Sequence, residues 1–238
     1  MTQVQVNYRT NMKQELDVWS LVVHNEFEKA CEKADQGYEN TGDILDLRNK
    51  VYALFHLRKY EDVIHLCKKL IEYEKGESES DFIFWGIANW ILGNVDQAIE
   101  VWQRAQNSLY KDAAGGVGTQ VFLYFAGIKT KQEKVKTIAI KAIKKLLKSK
   151  RAINFPGPLG LYLIDDITEN ELLSYVSNIP ILRERQLSQA HFVLAIKKLE
   201  INDLSGYYKK LKDCISYGSQ SYLSQMYYLA KGELEMIE

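Results

Sequence analysis

Proline is nearly absent from this chain, at 3 of 238 residues, and glycine is held to 14. So few helix breakers leave long stretches free to be helical and confine irregular backbone to short turns. Only 3 cysteines occur, Cys31, Cys67 and Cys214. They lie far apart, are odd in number and join no CxxC or Cys/His cluster, which argues against a disulfide framework or a zinc site. Each sits at a helical position among ordinary core residues, so they are expected to be buried thiols in a reducing compartment. The formal net charge is +0, so no bulk field draws the chain toward nucleic acid or membrane. No window approaches 18 apolar residues, which leaves no candidate membrane span. The opening MTQVQVNYRTNMKQ lacks the apolar run of a secretory signal. A cytoplasmic protein is the expectation.

What is present is an ordinary globular balance, 46% hydrophobic and 26% charged, which excludes a disordered chain. The charge, though balanced, is segregated. From Lys129 to Arg151 there are ten basic residues and one acid, Glu133, whereas acids outnumber bases from Glu15 to Asp46. Hydrophobic residues recur at helical spacing through most of the chain. A first helix is expected from about Met12 to Gly37, with Leu16, Trp19, Val23, Phe27, Ala30 and Ala34 on one face. The next unit, Ile44–Tyr73, reads as two helices joined at Arg58-Lys59-Tyr60. Phe82–Ala105 reads as two more, hinged at Leu92-Gly93-Asn94. A glycine loop, Asp112–Gly118, then breaks the period and leads into VFLYFAGIK and the lysine-rich amphipathic KVKTIAIKAIKKLLKSK. Pro158 is placed to open a short helix at Leu159–Leu163, and Thr168 and Glu171 form a capping-box pattern. The pairing returns at Ser188–Ser216, with Asn202 at a turn position that tolerates positive φ, and a last helix near Ser219–Ile237 is expected to cap the final pair.

The clearest unit, FIFWGIANWILGNVDQAIEVWQRA, sets small residues where two helices must touch and bulky ones between them. It resembles a tetratricopeptide repeat (TPR), a helix–turn–helix unit of about 34 residues. Gly86, Gly93, Ala98 and Ala105 fall on that consensus and Trp102 takes its second-helix aromatic position; the consensus proline after the second helix is missing, with Tyr110 near its place. The resemblance covers about half of the chain, near Ile44–Ala105 and Ser188–Ser216. It implies an all-α fold, a TPR-like superhelix of antiparallel helix pairs with an irregular middle segment. Three regions follow: N-terminal helix pairs over 1–111, a glycine-loop and irregular helical middle over 112–180, and a C-terminal pair with capping helix over 181–238. In the TPR frame the first helix of each pair lines a concave groove. That groove would receive Arg48, Tyr52 and Phe55, then Ile83, Ile87 and Trp90, then Phe192, Ile196 and Leu199. The paired Lys and Asn with which some members of the family clamp a carboxylate are absent, because Arg48 is followed by Tyr52 and Ile83 by Ile87.

Catalytic chemistry finds little support. AAGGVGTQ (Ala113–Gln120) lacks the Lys-Ser/Thr ending of a phosphate loop and follows a helix instead of a strand. His56 and His65 flank one turn and are not spaced as metal ligands, and no Ser/His/Asp or Cys/His set assembles locally. No cofactor and no metal are therefore expected, and the chain is read as a scaffold that binds partners. Lys141, Lys144, Lys145 and Lys148 are candidate partner contacts on the lysine face; a solvated helix face is the plainer alternative. With one arginine and no interleaved aromatics, that face suits an acidic protein at least as well as nucleic acid. The glycine-rich break DAAGGVG, then NFPGPLGLYLIDDITENELL and a last repeat, is similar to immunity proteins of bacterial polymorphic or contact-dependent toxin systems. That resemblance implies a non-catalytic inhibitor that occludes a cognate toxin domain, often a nuclease. A general TPR adaptor or peptide-sensing regulator is the alternative.

Overall fold

The computed structural model describes residues 16–237, which contain thirteen α-helices and no β-strand. The helices pack mainly as consecutive antiparallel pairs. The first pair is α1 (Val18–Val23) with α2 (Phe27–Thr41), the second α3 (Ile44–His56) with α4 (Tyr60–Tyr73). Two more follow, α5 (Glu79–Ile91) with α6 (Val95–Ala105) and α7 (Val117–Lys129) with α8 (Glu133–Leu146). Two short helices, α9 (Gly157–Leu163) and α10 (Glu169–Ser174), then lead to α11 (Pro180–Glu200), α12 (Leu204–Ile215) and α13 (Gln225–Glu235).

One turn geometry joins every hairpin. The connection is three residues long, and its middle residue, Asn25, Arg58, Gly93, Lys131 or Asn202, has φ between 57° and 82°. The N–H of the third residue bonds the carbonyl five positions back at 2.8–2.9 Å, as in Glu26→Leu21, Lys59→Leu54, Asn94→Asn89, Gln132→Gly127 and Asp203→Lys198. This is the Schellman closure, which satisfies the orphan carbonyls of one helix while reversing the chain into the next. The first four middle residues are 33, 35 and 38 positions apart, so the period continues beyond the glycine loop. VFLYFAGIK and the lysine-rich segment are a fourth hairpin, reached through the irregular loop 106–116, and a longer irregular stretch broken by short helices spans 147–179.

The single helix expected at Met12–Gly37 is two helices. Asn25 takes the left-handed conformation at φ 62°, the turn closes there, and α2 continues past Gly37 to end at Gly42. Met12–Glu15 lie outside the described residues. Other local readings match: the Gly93 and Asn202 turns, α9 with Pro158 in its first turn, and the Thr168/Glu171 capping box. The close approach in the clearest unit also has its expected cause. A Cβ on Gly86 would collide with the Trp102 indole, whose Nε1 donates to the Ile83 carbonyl at 3.2 Å.

Outer and inner helices differ sharply. The outer helices α2, α4, α6 and α8 bury one stripe, such as Val63, Leu66, Cys67 and Leu70 on α4. The inner helices α5 and α7 are buried nearly all round, from Phe82 to Trp90 and from Thr119 to Gly127. An inner helix can be covered on both sides only if something lies on the face opposite its outer partner. α13, packed against α11 and α12, supplies that cover for α5, and α9 and α11 supply it for α7.

Candidate functional site

The concave face is filled by the chain's own C-terminal helix. Tyr228 of α13 packs between Phe55 of α3, at 4.9 Å, and Phe84 of α5, at 5.9 Å between ring centroids. Gly232 brings α13 so close to α5 that a Cβ there would strike Ile91. Between them Glu233, 1% exposed, takes three donors from three helices. These are Trp90 Nε1 at 2.7 Å, the Tyr207 hydroxyl at 2.7 Å and Lys129 Nζ at 2.6 Å. Two residues on, Glu235 accepts from the Tyr60 hydroxyl at 2.9 Å and pairs with Arg58 at 3.0 Å. A buried carboxylate is costly unless its lone pairs are satisfied; here they pin α13 to α3/α4, α5, α7 and α12 together.

The residues expected to line an open groove are accordingly inside. Trp90, Phe55, Ile83, Ile87, Phe192 and Ile196 are all buried, and Leu199 is half-buried. As folded they belong to the core. The reading of Trp90 as an exposed binding anchor is corrected on this ground. Tyr52 is half-buried against Trp19, Phe84 and Tyr228. Arg48 is held in a partly buried ion pair with Glu74 and, at 3.1 Å, with Asp81, and these carboxylates raise its already high pKa. The last helix packs on the final pair, α11 and α12, as expected, and also reaches across to α5.

The charged faces lie outside. Lys141, Lys144 and Lys145 on α8 and Lys148 just beyond its end are all exposed, and none forms an ion pair with a described residue. On α2, Glu28, Glu32, Asp35 and Glu39 are exposed, and Asp62 of α4 stands across a shallow cleft of about 450 Å³ from Asp35 and Glu39. Lys50 sits in that cleft, bonded to Asp35 at 2.5–2.6 Å. The protein therefore presents an acidic outer face at its N-terminal hairpins and a basic one on its fourth.

The glycine loop is closed to phosphate from within. Asp112 folds back, and its carboxylate accepts from the N–H groups of Ala114 and Gly116 at 2.9 Å and of Gly118 at 2.6 Å. Glu79 of α5 accepts from the Asp112 N–H and from Thr119 Oγ1 at 2.9 Å. Two carboxylates thus occupy the place an anion would take at the start of α7. Burial, with Asp112 beside it, pushes the Glu79 carboxyl up to about 7. His56 stacks on Phe27 at 4.2 Å, and burial holds its imidazole down at about 3, neutral near pH 7. Cys67 and Cys214 are buried thiols, and burial pushes Cys214 up to about 12. Among the described residues no group of three or more His, Cys, Asp or Glu is placed to hold a metal ion.

Sequence reading missed Glu233, Glu79 and Asp112. For Glu233 and Glu79 no local signal exists, because their partners lie 143 and 104 residues away in one case and 40 in the other. Asp112 carries one: an Asp three to six residues before glycines that lead into a helix.

What these features define is an all-α superhelix of antiparallel helix hairpins, 74% helical, with a self-filled inner face and charged outer faces. No family model matches the chain, and no curated protein matches it significantly. No helix among the described residues is long and apolar enough to cross a membrane.

Proposed function

We propose that this chain is a non-catalytic protein-binding scaffold, and more specifically an immunity protein that binds and neutralises a cognate toxin domain. The observation that carries this reading is the separation of exposed acidic and basic side chains onto different outer helices of the stack. Complementary potentials of this kind steer association and fix the orientation of a folded partner. A toxin that cleaves nucleic acid has a basic active-site cleft, and the α2–α4 face, with Glu28, Glu32, Asp35, Glu39 and Asp62, has the matching sign. The α8 lysines would meet an acidic patch on the same partner. Inhibition would follow from steric and electrostatic occlusion, with an interface of ~1,600 Å² or more.

A peptide-binding adaptor is the competing reading, and the occupied inner face weighs against its usual mode, since α13 lies where an extended peptide would. Nucleic acid as the partner is disfavoured by the absence of aromatic side chains on α8. The test is co-expression of the tagged chain with the products of neighbouring genes. One stoichiometric folded partner, toxic when expressed alone and harmless with this chain, supports the immunity reading. Several weak partners, or short peptides only, would support the adaptor instead.

A further inference from the structure

A cavity of about 440 Å³ opens at one end of the inner face, where the N-terminal turns of α5 and α13, the glycine loop, Phe155–Pro156 and α11 meet. Its volume is within the range of small-molecule sites, and its walls mix apolar surface with a few polar groups, as such sites do. Ile83, Phe122, Phe155, Leu182 and Met226 form the apolar part. The polar part is more telling. Arg185, half-buried on α11, forms no ion pair and no hydrogen bond with a described residue. The side-chain amide of Gln189, one turn further along the same helix, is likewise unbonded within the described protein. Ser78, at the start of α5, makes no capping bond with its hydroxyl.

Every carboxylate near this cavity, by contrast, is already engaged. Asp112 accepts three backbone N–H groups, Asp81 is paired with Arg48, and Glu79 is bonded by Asp112 N–H and Thr119. The Glu79 carboxyl, pushed up to about 7, is moreover largely uncharged just below neutral pH. Two fixed cations stand at the cavity wall: Lys111 donates to the Gln106 carbonyl at 2.7 Å, whereas Arg185 has neither an ion pair nor a hydrogen bond among the described residues. A half-buried guanidinium pays part of its desolvation cost whether or not it is paired, and recovers it best with a bidentate carboxylate.

We propose that this cavity binds a small carboxylate-bearing ligand with an apolar body, its carboxylate on Arg185, a polar group near Gln189 and Ser78, and its apolar part against Phe122, Phe155 and Met226. The proposal stands apart from the reading of the outer faces, and its test needs no protein partner. The carboxylate has two possible sources, a free organic acid or the C-terminus of a short peptide.

The measurement is NMR titration of the whole chain, following the Arg185 Nε–H resonance, assigned by its loss in Arg185→Ala. The probes are 4-methylpentanoate, 3-phenylpropanoate and an acetylated tripeptide ending in free leucine, each beside its neutral amide. Saturable shifts are expected for at least one acid, with the matching amide ~10-fold or more weaker, as loss of a charge-assisted bond requires. Arg185→Ala should abolish binding and Gln189→Leu should weaken it, while both variants keep the parent melting temperature, because neither side chain bonds the fold. Binding of the short acids identifies a free acid as the ligand, and binding of the peptide acid alone identifies a chain end. Equal affinity for acids and amides, undiminished binding to Arg185→Ala, or no saturable shift with any acid would overturn the proposal.

Discussion

The inner helix α5 and the outer helix α8 are of similar length and stand in neighbouring hairpins, yet they bury different amounts for different reasons. α8 buries Val135, Ala139 and Ile143 on one stripe and presents lysines to water. α5 buries every residue from Phe82 to Trp90, including Asn89, whose amide turns back to bond the Trp85 carbonyl at 3.0 Å. The outer helix has one neighbouring layer and the inner helix has two, because α13 completes the second. A helical stack whose inner face is closed in this way exposes its outer helices and not an inner groove. Its stability then depends on a contact between residues more than 140 positions apart, Trp90 with Glu233.

Removing α13 by ending the chain before Ser224 should break the comparison most severely. It would expose Phe55, Phe84, Trp90 and Ile91 at once, and loss of a cooperative thermal transition with dye binding to exposed apolar surface is the expected result. An unchanged melt would mean that the inner face does not need its cover. Trp90→Ala comes next. A buried indole truncated in the core costs about 3–5 kcal/mol, so circular dichroism should show a far lower melting temperature. A native melt with only weakened partner binding would return Trp90 to the surface.

Glu233→Ala leaves the Trp90 N–H and the Tyr207 hydroxyl without an acceptor, and a loss of about 3 kcal/mol in urea unfolding is expected. Lys129, partly exposed, can turn to water, which limits the effect. A smaller change is expected for Glu79→Gln, and it depends on pH. The folded carboxyl titrates at about 7 against an ordinary 4.5. The unfolded chain therefore releases its proton first, and stability falls as pH rises from about 4.5 to 7. The glutamine variant escapes that loss and should be more stable than the parent by about 1–3 kcal/mol at pH 8, with little difference at pH 4. A parent and variant that track each other across this range would show that Glu79 titrates normally. The smallest effect on the fold belongs to the outer helix. Changing Lys141, Lys144, Lys145 and Lys148 to glutamate should shift stability by less than about 0.5 kcal/mol per site, yet should abolish binding to a partner that docks on α8. Retained binding would leave the acidic α2–α4 face as the docking surface.

Much of the fold is legible in the residues. Gly93 and Asn202 mark turns that need positive φ, Thr168 and Glu171 mark a helix start, and the Gly86–Trp102 contact follows from small-against-large spacing. Arg58 and Lys131 adopt the same left-handed turn conformation, at φ 57° and 58°, without the residue type that favours it. The closure is imposed there by the helices on either side, which is why the fourth hairpin is hard to see behind its glycine loop. Asn25 did offer the right residue type at a turn, but an apolar face continuous across Val23 and Phe27 outweighs one asparagine.

The closed inner face was also written in the sequence, in a form easily passed over. FIFWGIANWI and VFLYFAGI are apolar all round instead of along one stripe, and a helix of that kind is covered on every side. An open groove needs inner helices with a second, wettable face, which these two lack. The covering element, however, is not identified by that signal. α13 itself, QMYYLAKGELE, mixes charge and aromatics as a surface helix would.

By itself, then, the sequence determined the local geometry: helix after helix, three-residue reversals, small residues at close approaches, and lysines gathered on one helical face. Those properties arise from neighbours within a few positions, where propensity and periodicity act. The tertiary structure alone decided that Glu233 would collect Trp90, Lys129 and Tyr207, that Asp112 and Glu79 would seal the glycine loop, and that Arg185 would be left at a cavity wall with no ion pair or hydrogen bond among the described residues. Each of these depends on which distant carboxylate or donor is brought within hydrogen-bond reach, and bonds of about 3 Å are set by the packing of whole helices.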